Sequence, residues 1–188
     1  MRRQKDYNLF CVGDDYQSIY RFSGSDVSLI TNFSKYFGEV CVSKIVNTYR
    51  FSDQMAKLSS EFVMKNKSQI KKVVKGYPST NEPIEIIYSM SELENALKGL
   101  PNYSSVFLLG RYNSDKDILK SSENFSYNYG EILEVIYSKR IDLEIKYLTI
   151  HKSKGLQADY VFIINNKDKG SGFPSKMVDD IVIEKLLG

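Results

Sequence analysis

The 188-residue sequence is poor in the side chains that metal and redox chemistry usually needs. It has two cysteines, Cys11 and Cys41, and one histidine, His151. Both cysteines sit in apolar runs and read as small core residues, so neither a disulfide framework nor a zinc site is expected. A single histidine excludes a histidine-cluster metal centre. No apolar run approaches the roughly 20 residues that span a bilayer. The apolar stretch after Met1-Arg2-Arg3-Gln4-Lys5-Asp6 is too short for a signal peptide, and a cytoplasmic location is the expectation. Charge is nearly balanced: 26 basic and 23 acidic residues leave +3. Any nucleic-acid contact must therefore come from local arrangement and not from the overall field. The sequence also lacks G-x-x-x-x-G-K-[ST], the loop that cradles nucleotide phosphates, and an Asp-Glu pair after an apolar strand to hold Mg²⁺. No internal repeat or low-complexity segment is present.

What remains is ordinary for a soluble chain with a core: 42% hydrophobic and 26% charged residues. The length allows one α/β domain, or one domain and part of another. Apolar runs at Leu9–Val12, Val40–Val46, Ile84–Tyr88, Val106–Leu109, Glu144–Ile150 and Tyr160–Ile164 read as strands. The run Val106-Phe107-Leu108-Leu109 is nearly all apolar, as a strand covered on both faces requires. Helices are expected from Ser25 or Asp26 to Gly38, with Leu29, Ile30, Phe33 and Phe37 on one face. Others are expected after Ser52 or Asp53, with Met55, Leu58, Phe62 and Val63 buried, and over Ser91–Gly99, Asp115–Ser121, Glu131–Lys139 and Val178–Leu187. Asn124–Gly130, Tyr77–Pro83 and Gly170–Pro174 read as loops or turns. Strands alternating with helices predict a parallel, doubly wound sheet.

Three stretches carry chemistry. The first, Val12 to Ser25, breaks from a strand at Gly13-Asp14-Asp15. It then presents an amide (Gln17), two phenols (Tyr16, Tyr20) and a guanidinium (Arg21) at the carboxyl edge, where open α/β sheets bind ligands. A planar amide beside stacking rings and a fixed positive fork suits a segment with phosphate on one side and bases on the other. The bland alternative is a surface loop whose aromatics pack on a neighbouring helix. The second, Thr48-Tyr49-Arg50-Phe51, lies between a strand and a helix start, where free N–H groups attract anions and Arg50 adds a bidentate phosphate donor. An ion pair between Arg50 and a carboxylate of its own domain is the alternative. The third, Leu148 to Tyr160, runs from a strand into Thr149, His151, Ser153, Lys154 and Gly155. These are side-chain donors, followed by a glycine that permits close backbone approach, as a nucleic-acid phosphate chain needs. His151 alone would read as a structural histidine. Five lysines between Lys65 and Lys75 read most simply as a solvated helix end and loop.

Taken together, these stretches resemble superfamily 1 DNA helicases of the UvrD/Rep type. Gly13 to Asp26 (GDDYQSIYRFSGSD) resembles motif III, nearest to the helicase IV branch. Thr48–Phe51 resembles motif IV, and Leu148–Tyr160 resembles motif V. The resemblance implies that Tyr49 stacks on adenine and that Arg50 reaches the γ-phosphate and serves catalysis. It places Thr149, His151 and Ser153 on the DNA backbone, and Gly155 and Gln157 near the nucleotide ribose. Gln17 is expected to bind the nucleotide phosphate and serve catalysis, and to couple nucleotide state to Tyr20 and Arg21, which would bind DNA. Gln157 stands where the commoner pattern has glutamate, so the ribose contact is uncharged here.

The implied fold is a RecA-like parallel sheet flanked by helices. Residues 1–38 would be the tail of the first motor domain, and 39–188 the second, truncated before motif VI. The span Arg111 to Lys146 is too short for the accessory domain that relatives insert there. In the family the phosphate loop and magnesium ligands lie upstream of motif III. The implied activity of the intact protein is ATP-dependent, 3′-to-5′ movement on single-stranded DNA with unwinding. ATP and Mg²⁺ would be its cofactors, and single strands and duplex junctions its partners, with no membrane involved. These 188 residues alone are expected neither to hydrolyse ATP nor to hold it tightly. A stand-alone nucleic-acid or partner-binding module, and the helicase arm of a recombination helicase-nuclease, are the alternatives.

Overall fold

The computed structural model describes residues 9–17, 26, 28–65, 70–80 and 84–166. The chain divides into two compact units, Met1–Glu85 and Ile86–Gly188. The expected Gly170–Pro174 turn and Val178–Leu187 helix lie outside the described residues, as do Tyr20 and Arg21.

In the first unit a 3-10 turn, Asp15–Gln17, precedes two short helices, α1 (Ser28–Thr31) and α2 (Phe33–Phe37). Just before α1 the Asp26 carboxylate accepts from the Ser28 N–H at 2.8 Å and the Ser28 hydroxyl at 2.7 Å. Gly38 ends α2 with φ 89°. A four- and a five-residue helix cannot present the single stripe expected of one longer helix. Leu29, Ile30 and Phe37 are accordingly exposed.

Strand β1 (Asn47–Ser52) pairs in parallel with β2 (Lys75–Tyr77), and α3 (Asp53–Val63) follows β1 without a loop. Ser52 caps α3 as expected, its hydroxyl accepting from the Met55 N–H at 3.4 Å. Asp53 reaches across to accept from the Gly76 N–H at 2.7 Å. A Cβ at Gly76 would overlap backbone atoms of Phe51 and Ser52, so the β1–β2 approach requires glycine. The expected buried stripe of α3 is weaker than its spacing suggests. Ala56 is its buried residue, whereas Leu58 and Phe62 are exposed.

Leu9–Val12, Val40–Val46 and Ile84–Tyr88 are not strands. A strand needs a ladder partner, and among the described residues these runs have none apart from Val46, whose carbonyl accepts from the Lys75 N–H at 2.8 Å where β1 begins. Phe10, Val12, Val42, Ile45, Ile84 and Ile86 are exposed. Cys11 and Cys41, expected in the core, are exposed with them.

The second unit opens with α4 (Met90–Gly99), capped by Ser89, whose hydroxyl accepts from the Glu92 N–H at 3.2 Å. Then follow β3 (Ser105–Gly110), a 3-10 helix (Asn113–Ser121), β4 (Phe125–Asn128), β5 (Leu133–Tyr137), β6 (Glu144–Thr149) and β7 (Tyr160–Ile163). The sheet order is β4-β5-β6-β3-β7. Strand β3 is parallel to β6 and to β7, whereas β4–β5 and β5–β6 are antiparallel.

The fold is therefore mixed α/β with parallel strands at its centre, and not the all-parallel, doubly wound sheet expected. The difference comes from the β4–β5 hairpin, where a loop and then a helix were expected. Ile132, Val135 and Ile136 imitate helical spacing. Burial instead alternates along the strand: Val135 and Tyr137 face inward while Glu134 and Ile136 do not. A period of two is a strand. The hairpin joins the central sheet and shares its core, so the residues between β3 and β6 have no core of their own.

Strand β3 is central, as its unbroken apolar run required. Val106 and Leu108 face the larger core with Leu93 and Leu97 of α4, Leu119, Phe125, Val135, Tyr137, Ile145 and Tyr147. Phe107 and Leu109 face the other side with Leu148, Ile150 and Ala158. Two polar clusters fasten this unit. Glu94, buried on α4, accepts from Ser122 at 2.5 Å, from Asn124 at 3.0 Å and from Tyr137 at 3.2 Å. These bonds, with Lys139 nearby, lower its pKa to about 2. Burial, then Glu94 itself, pushes Tyr137 up to about 12. Arg140 forms two 2.8 Å bonds with Asp142 and donates to the Lys98 and Leu100 carbonyls at 2.8 and 2.9 Å. A guanidinium there satisfies carbonyls that the end of α4 leaves open.

Candidate nucleic-acid interface

The carboxyl ends of β6 and β3 lie side by side, with Thr149 paired to Gly110. The chain leaves β6 in a tight turn: the Ile150 N–H bonds to the Gly110 carbonyl at 3.0 Å and the Ser153 N–H to the Thr149 carbonyl at 3.1 Å. Gly155 closes the turn with φ 83°, a backbone conformation costly for other residues. His151, Lys152, Lys154, Gly155 and Gln157 are exposed on it, and Thr149 and Ser153 are half-buried. The Ser153 hydroxyl donates to the Ile150 carbonyl at 2.8 Å, so toward a phosphate it offers an oxygen and not a free proton. The expected motif V residues thus share one exposed ledge.

The end of β3 adds residues that the sequence reading passed over. Asp115, buried, accepts from the Arg111 and Tyr112 N–H groups at 2.7 and 2.8 Å and from the Asn165 amide at 2.7 Å. The Tyr147 hydroxyl donates to the Tyr112 carbonyl, and burial, then the Asp115 charge, raises its pKa to about 12. Gly110 leaves room for that hydroxyl, which a Cβ would overlap. So held, Arg111 and Tyr112 stand beside the β6 turn, the guanidinium carbon 5.4 Å from the ring centroid. The signal was available: Arg111 and Tyr112 directly follow an apolar strand, β3, as Ile150 to Gly155 follow β6.

At the far end of the same strands, Asp159 and Ser105 bond reciprocally. The Ser105 hydroxyl donates to the carboxylate at 2.7 Å and the Asp159 N–H donates back at 3.0 Å. Those bonds from Ser105 lower the Asp159 pKa. A groove beside β3 and β6 is lined by Phe107, Lys146, Gly155, Leu156 and Gln157. It brings both candidate ribose residues to one surface.

The remaining candidates lie on the first unit. Tyr49 and Arg50 are within β1 and not in a loop before the helix. Tyr49 is 89% exposed, its ring free to stack. Arg50 is exposed, and its guanidinium makes no ion pair among the described residues. The start of α3 already carries the Ser52 cap and the Asp53 carboxylate, so it is a weaker anion site than its position suggested.

Gln17 is described only as the last residue of its 3-10 turn. That turn is pinned by neighbours from the basic run. Asp15 is 2% exposed and accepts from the Ile70 N–H at 2.7 Å and Lys72 at 3.1 Å. Lys72 also donates to Asp14 at 2.6 Å and stands 3.9 Å from the Tyr16 ring centroid. Burial opposes its charge, but the bonds to Asp14 and Asp15 raise its pKa above the ordinary value. One lysine of the run is thus structural, not solvated.

Among the described residues no group of three or more metal-ligating side chains exists, and no helix is long and apolar enough to cross a membrane.

Comparison with known proteins agrees with the motifs. The UvrD/REP helicase N-terminal domain profile matches residues 2–38. DNA helicase IV of Escherichia coli K12 is 32% identical over 192 aligned residues, covering all of this chain and 26% of the helicase. ATP-dependent DNA helicase Rep of Buchnera aphidicola is 25% identical across 99% of this chain and 30% of its own length. DNA helicase II of Rickettsia typhi is 34% identical across 47% of this chain and 14% of its own length. The chain therefore spans about a quarter of the relatives matched along its whole length. No solved structure matches it.

Proposed function

We propose, for a chain that resembles helicases of the UvrD/Rep type along its whole length, that it supplies part of the motor of an ATP-driven DNA translocase. The observation that carries this reading is the ledge at the carboxyl ends of β3 and β6. There Thr149, His151, Lys152 and Lys154 meet Arg111 and Tyr112 along one edge. Side-chain donors, cations and a ring on a rigid edge suit a single strand: cations track its phosphates and a ring stacks on its bases.

In this reading the sheet is RecA-like, residues 1–38 belong to a first motor domain, and 39–188 to a second that has no inserted accessory domain. That the β4–β5 hairpin shares the core of the sheet supports the last point. ATP with Mg²⁺ is the cofactor, as the name of the Rep relative states for ATP. The exposed Tyr49 ring, and Arg50, which has no ion pair among the described residues, fit base stacking and a phosphoryl contact, and Gly155 with Gln157 fit a ribose. Each unit thus carries candidate nucleotide contacts of its own, and the sequence has no phosphate loop. Arg50 then stabilises charge on the transferring phosphoryl group, a role worth on the order of a thousandfold in rate. Movement is 3′-to-5′, on single strands and duplex junctions, in the cytoplasm.

The test is anisotropy of a labelled oligothymidylate titrated with the 188-residue chain at two salt concentrations. Binding that weakens with salt, and weakens several-fold further in Lys152→Ala/Lys154→Ala, is the expected result. Binding unchanged by those substitutions would remove the ledge from the interface.

A further inference from the structure

In the basic run from Lys65 to Lys75, Lys72 is held by several contacts at once. The Lys72 side chain is 16% exposed, and its ammonium is shared by Asp14 at 2.6 Å and Asp15 at 3.1 Å. The same nitrogen stands 3.9 Å from the Tyr16 ring centroid. The backbone reinforces it: the Ile70 N–H donates to Asp15 at 2.7 Å, and the Tyr16 hydroxyl to the Lys72 carbonyl at 3.5 Å. Three consecutive residues of the first chemical stretch are thus gripped by one residue more than fifty positions later. A buried carboxylate such as Asp15 is tolerable only when paired and hydrogen-bonded. Lys72 and Ile70 supply both. A cation over a ring face adds direction that an ordinary ion pair lacks.

We propose that Lys72 is a positioning residue for Asp14, Asp15 and Tyr16, at the head of the 3-10 turn that ends on Gln17 and leads in sequence to Tyr20 and Arg21. Resting on the DNA-motor reading above, this gives the basic run a role in nucleic-acid binding that acts through carboxylates and not through phosphate. A lysine that touched phosphate directly would be helped by removal of its competing acids. A lysine that holds the turn would lose its function with them.

The experiment uses the 188-residue chain and labelled oligothymidylate. Lys72→Met should weaken binding several-fold, and Lys72→Arg should keep most of it. In an Asp14→Asn/Asp15→Asn background, Lys72→Met should add nothing further. If its effect there is undiminished or larger, Lys72 contacts the nucleic acid and the proposal falls. A DNA-free readout separates this from the reading beneath it. The Lys72 ε-methylene protons should be displaced upfield in the NMR spectrum by the Tyr16 ring, and Tyr16→Leu or Asp14→Asn/Asp15→Asn should abolish the displacement. Absence of that displacement in the unaltered chain overturns the clamp even if DNA binds. Its presence in a chain that binds no DNA upholds the clamp and overturns the motor reading. Should Lys72→Met not fold, the Lys72→Arg variant and the spectrum decide the matter.

Discussion

The two units are stabilised by different means. The second is organised around β3, whose alternate residues enter cores on opposite faces of one sheet. In the first unit Ala56 and Asp15 are the residues buried among those described, while Phe10, Val12, Ile45, Phe62 and Val73 are exposed. Its order rests on individual polar contacts: the Ser52 cap, Asp53 on Gly76, Asp26 on Ser28, and Lys72 between two carboxylates. Burial is roughly proportional to area and spreads over many partners, whereas a polar contact is local and easily lost. The contrast teaches where substitutions should matter.

The largest expected effect is in the second unit. Leu108→Ala, at a fully buried position of β3, should cost about 2–5 kcal/mol. Phe62→Ala, 73% exposed on α3, should cost under about 0.5 kcal/mol despite removing a larger side chain. Urea unfolding followed by tyrosine fluorescence and by circular dichroism measures both. Equal costs would mean that the apolar face of α3 is covered in solution.

Next is the acid response. The folded Glu94 pKa is about 2, against 4.5 for the free group. Its contribution is therefore fully present above about pH 4.5 and is lost as pH falls toward 2. On the order of 2 kcal/mol is at stake after allowance for relaxation. Lowered pKa values at Asp142 and Asp159, each set by its hydrogen-bond partner, act in the same direction. The part of the loss between pH 5 and pH 3 that disappears in Glu94→Gln belongs to Glu94. A variant that keeps the full acid loss would reassign it to the other carboxylates.

The smallest effect is expected at Tyr49. Its ring is 89% exposed, so Tyr49→Ala should change stability by less than about 0.5 kcal/mol. A thermal melt checks this; a loss above about 1 kcal/mol would make Tyr49 part of the fold and not a group held for a ligand.

Sequence and structure agree where a pattern had one physical meaning. Val106–Leu109 could only be a doubly covered strand, and Ser52 stands immediately before its helix as a cap does. Thr149 to Gly155 read as a loop leaving a strand and ending on a glycine, and a turn follows β6 there. Agreement failed where local pattern needed a distant partner. Leu9–Val12 and Ile84–Tyr88 have strand composition but no neighbour to pair with among the described residues. The β4–β5 hairpin was hidden because Ile132, Val135 and Ile136 fit a helix as well as a strand, and only pairing to β6 resolves the two. Arg111 and Tyr112 were passed over because their setting depends on Asp115 and Asn165, and Lys72 because its partners are more than fifty residues away. Such contacts leave no local trace.

The register of β6 has a mechanical side. Six consecutive residues, Glu144 to Thr149, are matched to Ser105 through Gly110 of its parallel neighbour, while β5 flanks it in the opposite sense. A pull on the turn beyond Thr149, directed along the strand, strains these hydrogen bonds together in shear instead of unzipping them one after another. The same load passes back to the segment before Glu144, where Arg140 is tied to the end of α4. A tug at His151 is thus borne by the sheet and its helix at once, and the turn moves only as far as the whole unit does.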